Sequence, residues 1–291
     1  MSPMVVKLLL ALFALLLAPV AGGLLSGLDR IVTARMQRRV GPPLLQPFYD
    51  VAKLFEKRTV VVSHFQSFYV ACFLLFVILA TCLFFAGQDL LLIIFALTAG
   101  GVFLVLGAYA PNSPYSTLGA ERELLQMLAY EPMLFIMAMG LYKVTKSFAV
   151  SAIVGGAKGP QLLLLLPGIF IGFLFVLTIK LRKSPFDLST SHHAHQELVK
   201  GLTTEFSGRT LAYIEIGHWY ENILLMGMVW LFFSGLNPAL GALGVALVYL
   251  LEVLVDNASA RLTWQAMVKA AWAVTIALGV VNLIAVSYLN R

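Results

Sequence analysis

KLRKSPFDLSTSHHAHQELVKGLTTEFSGRTLAYIEIGHWYEN, residues 180–222, stands out from a chain that is otherwise mostly apolar. The stretch holds Glu197, Glu205, Glu215, Glu221 and Asp187. It also holds His192, His193, His195 and His218, and the cations Lys180, Arg182, Lys183, Lys200 and Arg209. It begins as a polar loop and ends inside an apolar run that starts near Leu211. Acids that continue from a water-facing loop into an apolar span are costly, and are kept where they serve ions or protons or dock a partner.

Outward from this stretch, the chain is 60% hydrophobic and only 12% charged, against about 25% charged for soluble domains. Apolar runs of about 20 residues match the hydrocarbon thickness of a bilayer. They fall at 5–28, 65–86, 90–110, 122–142, 162–181, 211–233, 239–255 and 267–289. The pattern predicts an all-α integral membrane protein, one polytopic domain over residues 1–291 with about eight spans. Connections 29–64, 111–121, 182–210 and 256–266 then share one side of the membrane.

Of the 20 Lys and Arg, only Lys7, Lys143, Lys146, Lys158 and Arg291 fall on the other side. The positive-inside rule places the basic connections in the cytoplasm, at the inner membrane, with both termini outside. The cations sit in short loops rather than in a soluble binding module, which argues against a nucleic-acid partner. The N-terminal run has the Lys7 and Ala18–Ala21 of a secretory signal, but continues to Leu28 and is followed by basic residues, so it reads as a span. Cys72 and Cys82 share one apolar run and are too few to ligate an iron–sulfur cluster; they read as core residues.

Between the first two spans, Arg38-Arg39-Val-Gly41-Pro42-Pro43 is a rigid bend. A short helix is expected from near Pro47, with Phe48, Val51, Ala52, Leu54 and Phe55 on one side and Asp50, Lys53, Glu56 and Lys57 on the other. Such a helix lies in the interface plane. It serves as a surface anchor, a lid over a cavity, or a docking edge for a soluble partner. The second and third spans, joined at Gly87-Gln88-Asp89, carry no internal charge and read as scaffold. The fourth opens on Glu121-Arg122-Glu123, where acids in a first turn would suit the helix dipole.

Glu131 lies about 12 Å further along that helix. A carboxyl at such depth must be protonated, paired or wet. Glu215, His218 and Glu221 form a spiral ladder on the sixth span; Glu252 and Asp256 share a face of the seventh. Glu131, Glu215, Glu221 and Glu252, with His218, suggest a buried polar corridor for protons or ions. Structural hydrogen bonding and a metal site are the alternatives. His192, His193 and His195 invite a metal reading, but lack the ligand spacing of zinc sites, so relay or loop packing competes. There is no phosphate loop, nucleophile elbow or HExxH. Ser207-Gly208 reads as a turn.

Four segments together resemble the H-type membrane subunit of respiratory complex I and its relatives in membrane-bound NiFe hydrogenases. They are RRVGPPLLQPFYDVAKL (38–54), SPYSTLGAERELLQMLAYEP (113–132), KSPFDLS with QELVKGLTTEFSG (183–208), and DNASARL (256–262). Arg122, Gln126 and Tyr130-Glu131 match the family pattern, and Glu197 and Glu205 fall on family acids. In the sixth span the family's glutamate lands near His218 or Trp219, so Glu215 and Glu221 substitute for it. Where the respiratory enzymes place glutamates after PFDL, this chain has SHHAHQ, in a loop about three residues longer. That loop looks like the energy-converting (Ech-type) hydrogenases.

The resemblance implies a membrane anchor of a ferredoxin-dependent, proton-reducing NiFe hydrogenase, itself without catalytic residues or cofactors. The NiFe centre and 4Fe-4S clusters would lie in partners: the small and large hydrogenase subunits and a ferredoxin-type iron–sulfur subunit. An antiporter-like membrane subunit would complete the complex. Arg38, Arg39, Gln46, Asp50, Lys53, Glu121, Arg122, Glu123, Asp187, His192, His193 and His195 would serve docking. Glu131, Glu197, Glu205, Glu215, His218, Glu221 and Glu252 would couple redox change to H⁺ or Na⁺ movement. The alternatives are a quinone-binding subunit of an NADH-quinone oxidoreductase-like complex, which requires a quinone-sized tunnel under residues 38–58, a formate hydrogenlyase membrane subunit, and a free-standing secondary transporter.

Overall fold

The computed structural model describes residues 3–60, 63–156, 159–186, 189 and 201–289. Asp187, His192, His193, His195 and Glu197 lie outside the described residues. Within them the chain is all-helical apart from one isolated bridge between Asp89 and Ala149. The order is α1 (Pro3–Met36), α2 (Gln46–Glu56), α3 (His64–Phe85), α4 (Leu90–Tyr109), α5 (Pro114–Thr145) and α6 (Val150–Gly156). There follow α7 (Gln161–Leu165), α8 (Pro167–Lys180), α9 (Gly208–Phe233), α10 (Pro238–Ala258), α11 (Trp264–Val274) and α12 (Val281–Leu289). A π-helical turn, Thr275–Val280, joins the last two into one rod.

Among the described residues, six helices are long and apolar enough to cross a membrane: α1, α3, α4, α5, α10 and the α11–α12 rod. The other two expected spans differ for physical reasons. The run 162–181 is broken at Leu166, because Pro167 lacks an N–H and disfavours helical backbone at the residue before it. The run 211–233 is a helix of 26 residues, and the polar side chains inside it lower its hydropathy. Proline stands in the first turn of α2, α5, α8 and α10, where its missing N–H is not needed. Asp89, Asn237 and Thr263 cap α4, α10 and α11 through their side chains.

One expectation is corrected here. The fourth span does not open at Glu121-Arg122-Glu123. Helix α5 starts eight residues before Arg122, at Pro114, and its first turn holds no acid. Dipole capping therefore does not explain the triplet: Glu121 and Arg122 face outward, and Glu123 is buried.

The connections sort to two ends. At one end, Gln88 and Val150, and Leu90 and Phe148, are joined by backbone hydrogen bonds, tying the second and fourth connections together. At the other, Gln37 bonds Asn257, Ser184 N–H bonds Asp256, and Leu262 N–H bonds the Pro185 carbonyl. Gly119 of α5 abuts Leu202 there. The first, third, fifth and seventh connections thus gather on one face. Helix α9 is central and packs on α1, α2, α3 and α10. Phe73 and Phe84 fit over its Gly217 and Gly227, small residues that let helices approach closely in a membrane.

Gly119 is a tight joint of the loop face. A Cβ there would collide with the backbone of Gly201 and Leu202, which cannot yield as a side-chain tip can. Gly119→Ala is expected to destabilise the protein by about 1–3 kcal/mol. Gly155→Ala, where a Cβ meets nothing within 4 Å, is the matched control. Thermal unfolding of the two purified variants checks the difference.

Candidate functional site

The site begins with how α8 ends. Arg182 N–H bonds Ile179 O, and Lys183 N–H bonds Thr178 O, the paired closure of a Schellman motif. The left-handed position of that motif usually holds glycine. Here it is Arg182, at φ 55°, which costs about 1–2 kcal/mol relative to glycine. Strain kept at one residue marks a side chain whose placement matters.

That side chain sits at the centre of a buried ionic cluster. Arg182 Nη2 donates to Glu123 Oε1 at 2.8 Å, and Nη1 lies 3.7 Å from Glu221 Oε2 and 2.8 Å from His218 Nε2. Guanidinium only donates, so His218 Nε2 accepts, which places the imidazole proton on Nδ1 and makes the ring neutral. Lys180 Nζ bonds Glu221 Oε1 at 2.6 Å and the Tyr130 hydroxyl at 3.1 Å. The side chains of Lys180, Glu221 and Glu123 are each 4% exposed, and that of Arg182 10%. Two cations meet two carboxylates, so the cluster is neutral. Desolvating four charges is expensive, and only mutual pairing with well-formed hydrogen bonds offsets it. Three elements supply the members: α5, the end of α8, and α9.

A second cluster lies on the other side of the same loop. Lys183 Nζ bonds both oxygens of Asp29 at 3.0 and 2.9 Å and sits 5.2 Å from the Tyr249 ring centroid. Glu252, 1% exposed, has Oε2 without a hydrogen-bond partner among the described residues. Ser184 N–H bonds Asp256 Oδ1 at 2.8 Å. The four residues 180–183 therefore distribute three cations to acids on α1, α5 and α9, and the next residue ties the loop to an acid of α10.

A third feature is a cavity of about 260 Å³ between α1, α2 and α9, lined by Arg30, Pro47, Asp50, Val51, Lys53, Leu54, Lys57, Leu211, Glu215 and Trp219. Aromatic pairs, Phe48 with Trp219 at 5.0 Å and Phe55 with Tyr213 at 5.6 Å, fasten α2 to α9. Asp50 accepts from Arg30 and Gln46. Partial burial pushes its carboxyl up, but the Arg30 and Gln46 hydrogen bonds and the nearby cations outweigh this and hold it below the usual carboxylate range.

The expected coupling residues are thus only partly gathered. His218 and Glu221 share the first cluster, where Glu123 joins them. Glu252 belongs to the second cluster and Glu215 lines the cavity. Glu131 is half-buried on α5, with Oε1 unpartnered among the described residues. Glu205 is half-buried, and its carbonyl accepts from Gln66. Of the docking residues, Arg38, Arg39, Glu121 and Arg122 are exposed; Gln46, Asp50 and Lys53 sit on α2. Among the described residues no three His, Cys, Asp or Glu gather to hold a metal. Lys180, Arg182, Lys183, Asp29 and Tyr130 are members that reading for acids alone overlooks. Their signal is simple: buried carboxylates need cations, and KLRK ends the nearest span.

The NADH dehydrogenase family profile matches residues 6–287. An H-type NADH-quinone oxidoreductase subunit of Syntrophobacter fumaroxidans is 30% identical, covering 96% of this chain and 93% of the relative. NADH-ubiquinone oxidoreductase chain 1 of Paracentrotus lividus is 33% identical over 74% and 71% of the two chains. A chain in the structure of the membrane-bound sulfane sulfur reductase, an archaeal respiratory membrane complex, superposes with TM-score 0.85 at 24% identity, covering 96% of this chain and 99% of that one. This likeness concerns the fold. Matched along almost its whole length, and built around buried charge where its relatives are membrane subunits of respiratory complexes, the chain belongs to the NADH dehydrogenase family of complex I-like membrane subunits.

Proposed function

We propose that this chain anchors a ferredoxin-dependent, proton-reducing NiFe hydrogenase in the membrane and couples its redox chemistry to H⁺ or Na⁺ movement. The observation that carries the coupling role is the neutral four-charge cluster of Glu123, Lys180, Arg182 and Glu221. It sits directly where the fifth connection leaves the membrane. In a low-dielectric interior, displacing one charge there is felt strongly by the other three. A partner docked on the loop face that shifts the 180–186 backbone would move Lys180 and Arg182 together, and the acids would respond. The hydrogenase assignment rests on the SHHAHQ sequence in the same connection.

NiFe and 4Fe-4S centres belong to the partners in this reading, and this chain's residues bind, orient and pass charge. A quinone-reducing complex is the second reading. It is favoured by the α1–α2–α9 cavity, which lies under residues 38–58, where such a complex requires an opening.

The test uses the purified complex in vesicles. Hydrogen evolution from reduced ferredoxin with a coupled ion gradient is expected, and Glu131→Gln is expected to keep hydrogen evolution while lowering the ions moved per hydrogen about fivefold or more. Quinone reduction without hydrogen evolution would replace the first reading by the second. Full coupling in Glu131→Gln would remove Glu131 from the path.

A further inference from the structure

We infer that the cavity between α1, α2 and α9 is a binding site for the phosphodiester headgroup of an anionic membrane lipid. This goes beyond the proposed function, in which the cavity has no role.

The argument starts from charge. Five of the ten lining residues are ionic: Arg30, Lys53 and Lys57 against Asp50 and Glu215. Three cations and two acids leave one positive charge, which matches the single negative charge of a phosphodiester. Arg30 is already held by Asp50 at 2.6 Å, and Asp50 also accepts from Gln46. Lys53 and Lys57 have no ion pair among the described residues. They stand four apart, one turn of α2, where like charges repel. An anion between them reverses that penalty. The helix dipole favours cations near the end of α2, but does not require both to face a cavity.

Size and position agree with charge. At about 260 Å³ the cavity falls just short of the ~300–1,000 Å³ of sites that enclose a whole small ligand. It suits a headgroup whose tails remain outside. Pro47, Val51, Leu54, Leu211 and Trp219 complete the wall, an apolar rim for the first carbons of the acyl chains. Helix α2 is amphipathic, with Tyr49 exposed on it and Leu45 exposed just before it, and lies across the ends of α1 and α9 as an interfacial helix does. Basic residues at such a surface attract anionic lipid.

The test is native mass spectrometry of the intact complex from vesicles of mixed phosphatidylglycerol and phosphatidylcholine. Wild type is expected to retain phosphatidylglycerol selectively. Lys53→Gln/Lys57→Gln is expected to lower that preference about tenfold, and Lys53→Arg/Lys57→Arg to keep it. Arg38→Gln/Arg39→Gln removes equal charge from the same face outside the cavity and is expected to change it little. If the double Gln variant does not assemble, Lys57→Gln alone, at an exposed position, gives the same reading at smaller amplitude. Equal losses in the Lys and Arg pairs would mean only a diffuse surface field, and overturn the site. Displacement of the lipid by millimolar inorganic phosphate would assign the cavity to free phosphate. Displacement by a short-chain quinone would assign it to the second functional reading, a failure separate from loss of hydrogen evolution.

Discussion

Arg182→Met is expected to destabilise the assembled protein by about 3–5 kcal/mol, the cost of removing one partner from a buried charge network. The guanidinium makes two contacts to Glu123, at 2.8 and 3.5 Å, and reaches His218 and Glu221. Without it Glu123 keeps a buried charge and loses the partner that offsets its desolvation. Glu221 fares better, because Lys180 still holds it at 2.6 Å. Arg182→Lys does not rescue, since a point ammonium cannot span Glu123 and Glu221 as a planar fork does. Arg182→Gly is the sharper variant. It relieves the left-handed strain at φ 55°, so on backbone grounds alone it would stabilise. If the network dominates, the Gly variant still loses stability. Adding Glu123→Leu to Arg182→Met removes the orphaned carboxylate and is expected to recover part of the loss. Thermal unfolding of the complex, followed by retention of the chain, measures all four. A Gly variant as stable as wild type would show that the cluster contributes little to folding.

Much of the fold was legible because membrane spans announce themselves by length. The scaffold helices α3 and α4 fall within a residue or two of their apolar runs, and the α2 surface helix follows from its two-sided pattern. What was not legible has specific causes. The start of α5 was hidden because Tyr115, Ser116 and Thr117 look like a turn, yet Pro114 opens a helix there. That displaced Glu123 from a capping role to a buried one. The break at Leu166 is a single proline inside an apolar run. The clusters were half visible: acids at membrane depth stand out, whereas Lys180, Arg182 and Lys183 look like ordinary loop cations. Their pairing depends on a left-handed turn at Arg182, which no spacing rule assigns to arginine. Glu215 and Glu221 lie six apart on α9, so they face different neighbours. One reaches the α2 cavity and the other Lys180.

Glu221→Gln tests the coupling role, with the largest expected effect on function. The substitution keeps the shape and one acceptor oxygen, which can still take the Lys180 hydrogen bond, but removes one negative charge, taking the cluster from neutral to one positive charge. Lys180 retains the Tyr130 hydroxyl at 3.1 Å, and Arg182 retains Glu123, so the fold has partners left. In the proposed function electron transfer belongs to partner subunits, so it is expected to continue near its wild-type rate. Ions moved per electron are expected to fall about tenfold or more, within the range that a coupling free energy of a few kcal/mol allows. Lys180→Met/Glu221→Gln separates charge balance from relay. It restores neutrality, so stability is expected to recover, but it removes both ionisable groups from the path, so coupling is not. Gradient formation in vesicles, divided by electrons delivered, reads coupling; unfolding temperature reads stability. If the double variant recovers both, Lys180 and Glu221 are a structural pair and the ion path runs elsewhere. If it recovers only stability, the pair carries the signal between the loop face and the membrane interior.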